Sequence, residues 1–220
     1  TIFRLIRSFE TWDYSQRNIE RLTAAGYGDT LRHVPLGYVP ELTRIAPSAI
    51  QDIDVLFYGS VNHRRAKIIN DLKDAGLSVA AVFGIYGTER DALIARAKVV
   101  LNVHYYDSGI FEVVRVSYLL SNRKAVVAEC HNDTAIDEDL KDAVALVRYQ
   151  DLVSACQDLV KNDAKRHIME QRGFERMSAR DESAILRSVL AAPLAFTPSK
   201  RNSQMSDMPT KINLGSGKDW

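Results

Sequence analysis

Apolar runs at 53–58, 78–83, 98–103 and 124–128 alternate with helical spacing at 62–75, 88–97 and 110–121. A further strand is expected at 143–148, with a helix at 150–161. A strand reached from its predecessor through one helix lies parallel to it, and the crossover is right-handed. Repeated, that rule leaves one class of answer: an α/β protein with a doubly wound parallel sheet and helical flanks. The run Val55-Leu-Phe-Tyr58 is what a strand covered on both faces requires, because neither side can be polar. Helical patterns at 164–178 and 181–191 follow. Upstream, helical spacing over 14–25 closes at Gly26, and a short strand at 31–34 leads into a proline- and glycine-rich stretch at 35–40.

In open sheets of this kind ligands bind outside the carboxyl ends of the strands. Four segments fall there. The first is Gly59, Ser60, Asn62, Arg64 and Arg65, where a strand gives way to a helix. Arginines in a first helical turn oppose the helix dipole unless an anion is held there, so the segment suggests a phosphate site. Solvated surface arginines are the alternative. The second is Phe83-Gly-Ile-Tyr86-Gly87, where glycines let the backbone approach a flat ligand and Tyr86 offers a stacking face; an ordinary glycine turn fits equally. The third runs from Asn102 through His104 to Glu112 and Arg115. Ser108 and Gly109 are expected to cap its helix, Glu112 to accept from sugar hydroxyls and Arg115 to answer a phosphate. The same Glu112 and Arg115 also suit an i,i+3 pair, and His104, a weak catalytic candidate, suits a satisfied structural histidine. The fourth is Glu129, a site carboxylate or a loop cap.

Composition narrows the classes. With 220 residues and 46% hydrophobic content the chain can bury a full core, and a net charge of +1 supplies no basic field for nucleic acid. No apolar run approaches the roughly 20 residues that span a bilayer, so no integral membrane segment is expected. Arg4, Arg7 and Glu10 break any signal-peptide core, and a cytoplasmic location is expected. Cys130 and Cys156 are too few for a disulfide framework, and no His/Cys/Asp set has metal spacing along the chain. Asp52 and Asp54 match an acidic pair, but at the amino end of a strand, away from the crevice.

Taken together, these residues resemble a known pattern. From about Trp12 to Ser178 the chain resembles the C-terminal half of a GT-B glycosyltransferase, nearest to the bacterial family 1-like group that includes spore-maturation-protein-like enzymes. The matching pieces are Trp12-Asp-Tyr-Ser with Asn18, Val34-Pro-Leu-Gly-Tyr38, Val55 to Arg65 and Tyr86-Gly-Thr-Glu-Arg90. Ala97 to His104, and Ile110-Phe-Glu112 with Arg115, complete the set. The resemblance implies a Rossmann-like domain that binds a nucleotide-sugar donor, with Arg64 or Arg65 on the diphosphate and Glu112 on the ribose or sugar. It implies metal-independent transfer to a glycan or other acceptor. Many related enzymes carry a second glutamate eight positions away; Leu120 stands there.

Residues 1–45 read as the end of a preceding domain, 46–192 as the nucleotide-sugar-binding domain and 193–210 as a linker. Ile212-Asn-Leu-Gly-Ser-Gly217, within 211–220, resembles the first strand and glycine loop of a class I methyltransferase that uses S-adenosylmethionine. Such a fusion would bring that cofactor only to the downstream domain, and no cofactor is expected for glycosyl transfer itself. The alternative function is a non-catalytic Rossmann-like scaffold that positions the methyltransferase.

Overall fold

The computed structural model describes residues 2–106, 111–132 and 134–192. In chain order the elements begin with α1 (Ile2–Ser8), β1 (Thr11–Asp13), α2 (Gln16–Leu22) and β2 (Leu31–His33). Then come β3 (Ile53–Tyr58), α3 (His63–Asp74), β4 (Val79–Val82), α4 (Gly87–Arg96), β5 (Ala97–Asn102) and α5 (Val113–Ser121). The last are β6 (Ala125–Glu129), β7 (Ala145–Val147), α6 (Leu152–Lys161), α7 (Asp163–Ser178) and α8 (Glu182–Ala191). They divide into two compact units, one formed by Tyr38–Arg180 and the other by the described parts of Thr1–Gly37 and Asp181–Trp220.

The smaller unit holds a two-stranded parallel sheet, β1 beside β2. Phe3, Ile6, Leu22 and Tyr27 bury one another there. The helix expected over 14–25 is regular only through Leu22. It then widens into a looser turn in which Gly26 takes φ +84°. Neither α1 nor β1 was expected, because each is too short for a periodic signal.

The larger unit holds the expected doubly wound sheet, five parallel strands in the order β4-β3-β5-β6-β7. Side chains alternate across it as strand geometry demands. Leu56, Val100 and Val126 point to one face, where Ile94 of α4, Leu119 of α5 and Met177 of α7 cover them. Val55, Val99 and Val127 point to the other, against Leu72 of α3 and Cys156 of α6. Each such buried aliphatic side chain contributes about 1.5–3 kcal/mol of transfer free energy, so the sheet is the core of the larger unit. Helix α7 packs closely on α5 at Gly173, where a Cβ would stand 2.7 Å from Leu120 Cδ2.

Two details bear on the site. At the amino ends of the strands Asp52 pairs with Arg96 at 2.5 Å and Asp54 with Lys98 at 2.8 Å. That end is charge-neutralised locally. Helix α5 begins at Val113, later than the expected 110, because Phe111 turns into the core. The expected caps Ser108 and Gly109 lie outside the described residues, as do the linker and the methyltransferase-like segment. Among the described residues no helix is long and apolar enough to cross a membrane.

Candidate functional site

The chain leaves β3 toward β4 on one side, then crosses back to β5 on the other. Crossovers departing in opposite directions open a crevice beyond the carboxyl ends of β3 and β5, the switch point of a doubly wound sheet. A cleft of about 330 Å³ runs from the end of β3 to that of β4, with Tyr105 and Arg115 on its β5 side, within the size range of small-molecule sites.

Its floor is built by the turn after β3. Gly59 has φ +137°, and a Cβ on it would stand 3.3 Å from Arg115 Nη2 and 3.8 Å from Arg65 Nη1. Only glycine combines that backbone with so close an approach of two cations. Asn62 caps α3: its Oδ1 accepts from the Arg65 amide at 3.0 Å, and its Nδ2 donates to the Tyr105 carbonyl at 2.7 Å. The cap ties the β3–α3 turn to the segment following β5.

Arg65 is 3% exposed. Its Nε donates to the Val103 carbonyl, its Nη1 to the Ser60 carbonyl and its Nη2 to Glu112 Oε1, each at 2.9 Å. Burial lowers its pKa, offset in part by Glu112, but a guanidinium stays charged in a protein. Arg115, one turn into α5, meets Glu112 Oε2 at 2.8 Å and lies over the Tyr58 ring at 4.8 Å. Glu112 thus bridges two arginines. Burial pushes the Tyr58 phenol up to about 12, so it stays neutral.

Gly59, Ser60, Arg65, Tyr86 and Arg115 line the cleft. Asn62 shapes its wall as a cap, and Glu112 braces the two arginines. The Tyr86 ring, 76% exposed, stands on the rim. Sequence reasoning did not assign roles to Arg90 and Tyr105, which also line the cleft. The signal for Arg90 was its place in the first turn after a strand.

Arg64 and His104 go elsewhere. Arg64 forms a two-pronged pair with Glu129, Nη1 meeting Oε2 at 2.6 Å and Nη2 meeting Oε1. Its guanidinium lies over the Tyr149 ring at 4.0 Å, and the Tyr149 hydroxyl donates to the Arg64 carbonyl at 2.8 Å. Glu129, fully buried at the end of β6, also accepts from the His104 amide at 3.0 Å and meets His131 Nε2 at 3.0 Å. Burial pushes the Glu129 carboxyl up, but the bonds from Arg64 and the His104 amide outweigh it and hold the group below its ordinary value. His104 stacks on His131 with ring centroids 5.5 Å apart, 2% exposed. Burial pushes its imidazole down to about 4, so it is neutral near pH 7.

Potential ligand atoms of His104, Glu129 and His131 lie within 4.8 Å of one another. Linear spacing did not show this convergence, because the residues come from the ends of two neighbouring strands. Both oxygens of Glu129 are engaged by Arg64. A divalent ion there must displace that cation, so the cluster reads as a neutralised ion-pair network.

No protein-family profile matches the chain. It is similar to uncharacterized proteins of Acanthamoeba polyphaga mimivirus. One is 36% identical over 124 residues, 54% of this chain and 14% of the relative. Another is 26% identical over 160 residues, 70% of this chain and 21% of the relative. The chain therefore spans only a small part of these relatives, which are viral where the expected likeness was to a bacterial group.

Among solved structures, Anabaena HepE in complex with UDP-glucose superposes with a TM-score of 0.62 at 14% identity. The match covers 83% of this chain and 62% of HepE. Staphylococcus aureus TarM, in a complex that includes UDP, gives 0.63 at 12% identity over 86% of this chain and 45% of TarM. A glycosyltransferase from Rickettsia africae gives 0.55 at 10% identity over 84% of this chain and 63% of its own. What the chain shares with these neighbours is a fold: the Rossmann-like, GT-B-like arrangement of a parallel sheet between helical layers.

Proposed function

We propose that this chain is a nucleotide-sugar-binding domain of a glycosyltransferase, and that the cleft beyond β3 and β5 receives the donor's diphosphate without a metal. The observation that carries the reading is the Arg65–Glu112–Arg115 bridge beside Gly59. Two guanidinium groups converge there, donors that neutralise phosphate oxygens. When a diphosphate takes the arginines, Glu112 exchanges its cationic partners for hydroxyl donors of the ribose or sugar. As the glycosidic bond to the diphosphate breaks, charge grows on the leaving oxygen, and preorganised cations stabilise it. The structural likeness to proteins solved with UDP or UDP-glucose supports a nucleotide-sugar donor. The acceptor, a glycan or another hydroxyl compound, and the fusion to a methyltransferase belong to the whole protein's activity and are part of the proposal.

Titration calorimetry with UDP, GDP, dTDP, ADP and CMP, with and without magnesium, tests this. One diphosphate is expected to bind independently of magnesium. Arg115→Gln is expected to weaken it at least tenfold, about 1.4 kcal/mol. Unchanged affinity in a folded Arg115→Gln variant overturns the phosphate assignment.

A further inference from the structure

The cleft extends from Arg65 and Arg115 to Phe83, Tyr86 and Arg90. Arg65 and Arg115 stand together at the close of β3, sharing Glu112. Arg90 lines the same cleft from the first turn of α4, which follows the edge strand β4. It lies over the Tyr118 ring at 4.6 Å, and its Nε and Nη2 donate to Asp91 Oδ1 at 3.2 and 2.9 Å. Arg44 also pairs with Asp91, at 3.2 Å, and donates to the Tyr118 hydroxyl at 2.9 Å. Arg90 is thus braced from behind and held on the cleft wall.

That wall is aromatic. Phe83 and Tyr86 are both largely exposed, and between them Gly84 takes φ +74°. Open ring faces beside a braced cation suit a flat heterocycle better than a third phosphate. A guanidinium donates and never accepts. It therefore distinguishes bases by what their edges offer: guanine and uracil present a carbonyl acceptor where adenine and cytosine present an amino donor.

We propose that Arg90 reads the base of the bound nucleoside diphosphate and selects an oxo base, guanine or uracil, over its amino counterpart. The inference rests on the donor-binding reading above. It places recognition of the base on α4 and of the diphosphate on α3 and α5.

Calorimetry on this chain with GDP against ADP, UDP against CDP, and inorganic pyrophosphate separates the two. In at least one pair the oxo member is expected to bind at least about tenfold more tightly, a modest share of what a hydrogen-bonding pocket can discriminate. R90Q, whose amide both donates and accepts, is expected to bring that ratio within about twofold while pyrophosphate affinity holds. R115Q is expected to weaken every ligand, pyrophosphate included, and to keep the ratio. An unchanged ratio in R90Q overturns the inference, as does an equal loss of pyrophosphate affinity, which moves Arg90 to the phosphate end. If R115Q acts as expected but no pair shows a base preference, Arg90's role fails and the donor reading stands. Silence across all ligands removes both. Asp91 keeps Arg44 as a partner, so R90Q is expected to fold; R90K, which retains a donor-only cation, is expected to keep part of the preference.

Discussion

Arg64 and Arg65 are consecutive residues in the first turn of one helix, and the structure sends them to opposite tasks. Successive helical side chains diverge by about 100°. Arg65 swings toward the β3–β5 switch point, where Glu112 and Arg115 meet it beside a cleft. Arg64 swings toward the end of β6, where Glu129 takes its guanidinium under the stacked His104 and His131. In one cluster the carboxylate is partly exposed, 29%, and shared between two cations beside the cleft. The other is closed, with its carboxylate fully buried. A binding site tolerates charges that a ligand can recruit; a structural pair must satisfy its charges internally. The contrast predicts which substitutions damage the fold and which damage recognition.

The largest effect is expected in the closed cluster. Glu129→Ala leaves Arg64, whose side chain is 19% exposed, without that counter-charge, and a loss of about 3 kcal/mol is expected. Urea denaturation checks it; a loss under 1 kcal/mol would erase the distinction between the clusters. The same cluster makes stability depend on acid. His104 titrates near 6.5 when unfolded and at about 4 when folded, so the unfolded state binds more protons between those values. Its contribution is complete above pH 6.5 and is lost as pH falls toward 4, up to about 3 kcal/mol. The depressed Glu129 carboxyl acts in the same direction at lower pH. Melting temperatures across pH 4–7 are expected to fall on acidification, with the upper part of that slope flattened in His104→Gln.

Smaller effects are expected at the open site. Gly59→Ala forces a Cβ into a positive-φ position 3.3 Å from Arg115, and about 1–3 kcal/mol of strain is expected. Calorimetry should also show weaker nucleotide binding, because the nearer arginine must give way. Arg115→Gln, whose partly exposed side chain shares Glu112 with Arg65, is expected to cost less than about 1 kcal/mol of stability while weakening diphosphate binding tenfold. A large stability loss with unchanged binding would make Arg115 structural.

Much of this fold could be read from the chain because period-2 and period-3.6 patterns report which faces are buried. The strand Ile53–Tyr58 and the helix after it agree with the sequence reading almost to the residue. The short α1 and β1 could not be read that way, since neither is long enough to show a period. At the site, Gly59, Ser60 and Arg65 were visible as residues just past a strand end, and Arg115 as a cation at the start of the helix after the next strand but one. The division between Arg64 and Arg65 was not, because it depends on which acidic groups two different crossovers bring to each side of α3. Glu129 closes a strand more than sixty residues away and His131 follows it, and no local spacing encodes that meeting.

The proposed function puts Arg65 and Arg115, not Arg64, on the diphosphate. Titration of UDP and pyrophosphate into the wild-type chain, Arg115→Gln and the double variant Arg64→Gln/Glu129→Gln tests it most directly. The double variant removes both charges of the closed pair together, which typically leaves a protein folded. Arg115→Gln is expected to lose at least tenfold in affinity while the double variant stays within about twofold of wild type. A folded double variant that loses binding, beside an Arg115→Gln variant that keeps it, would contradict the account and return the phosphate to Arg64.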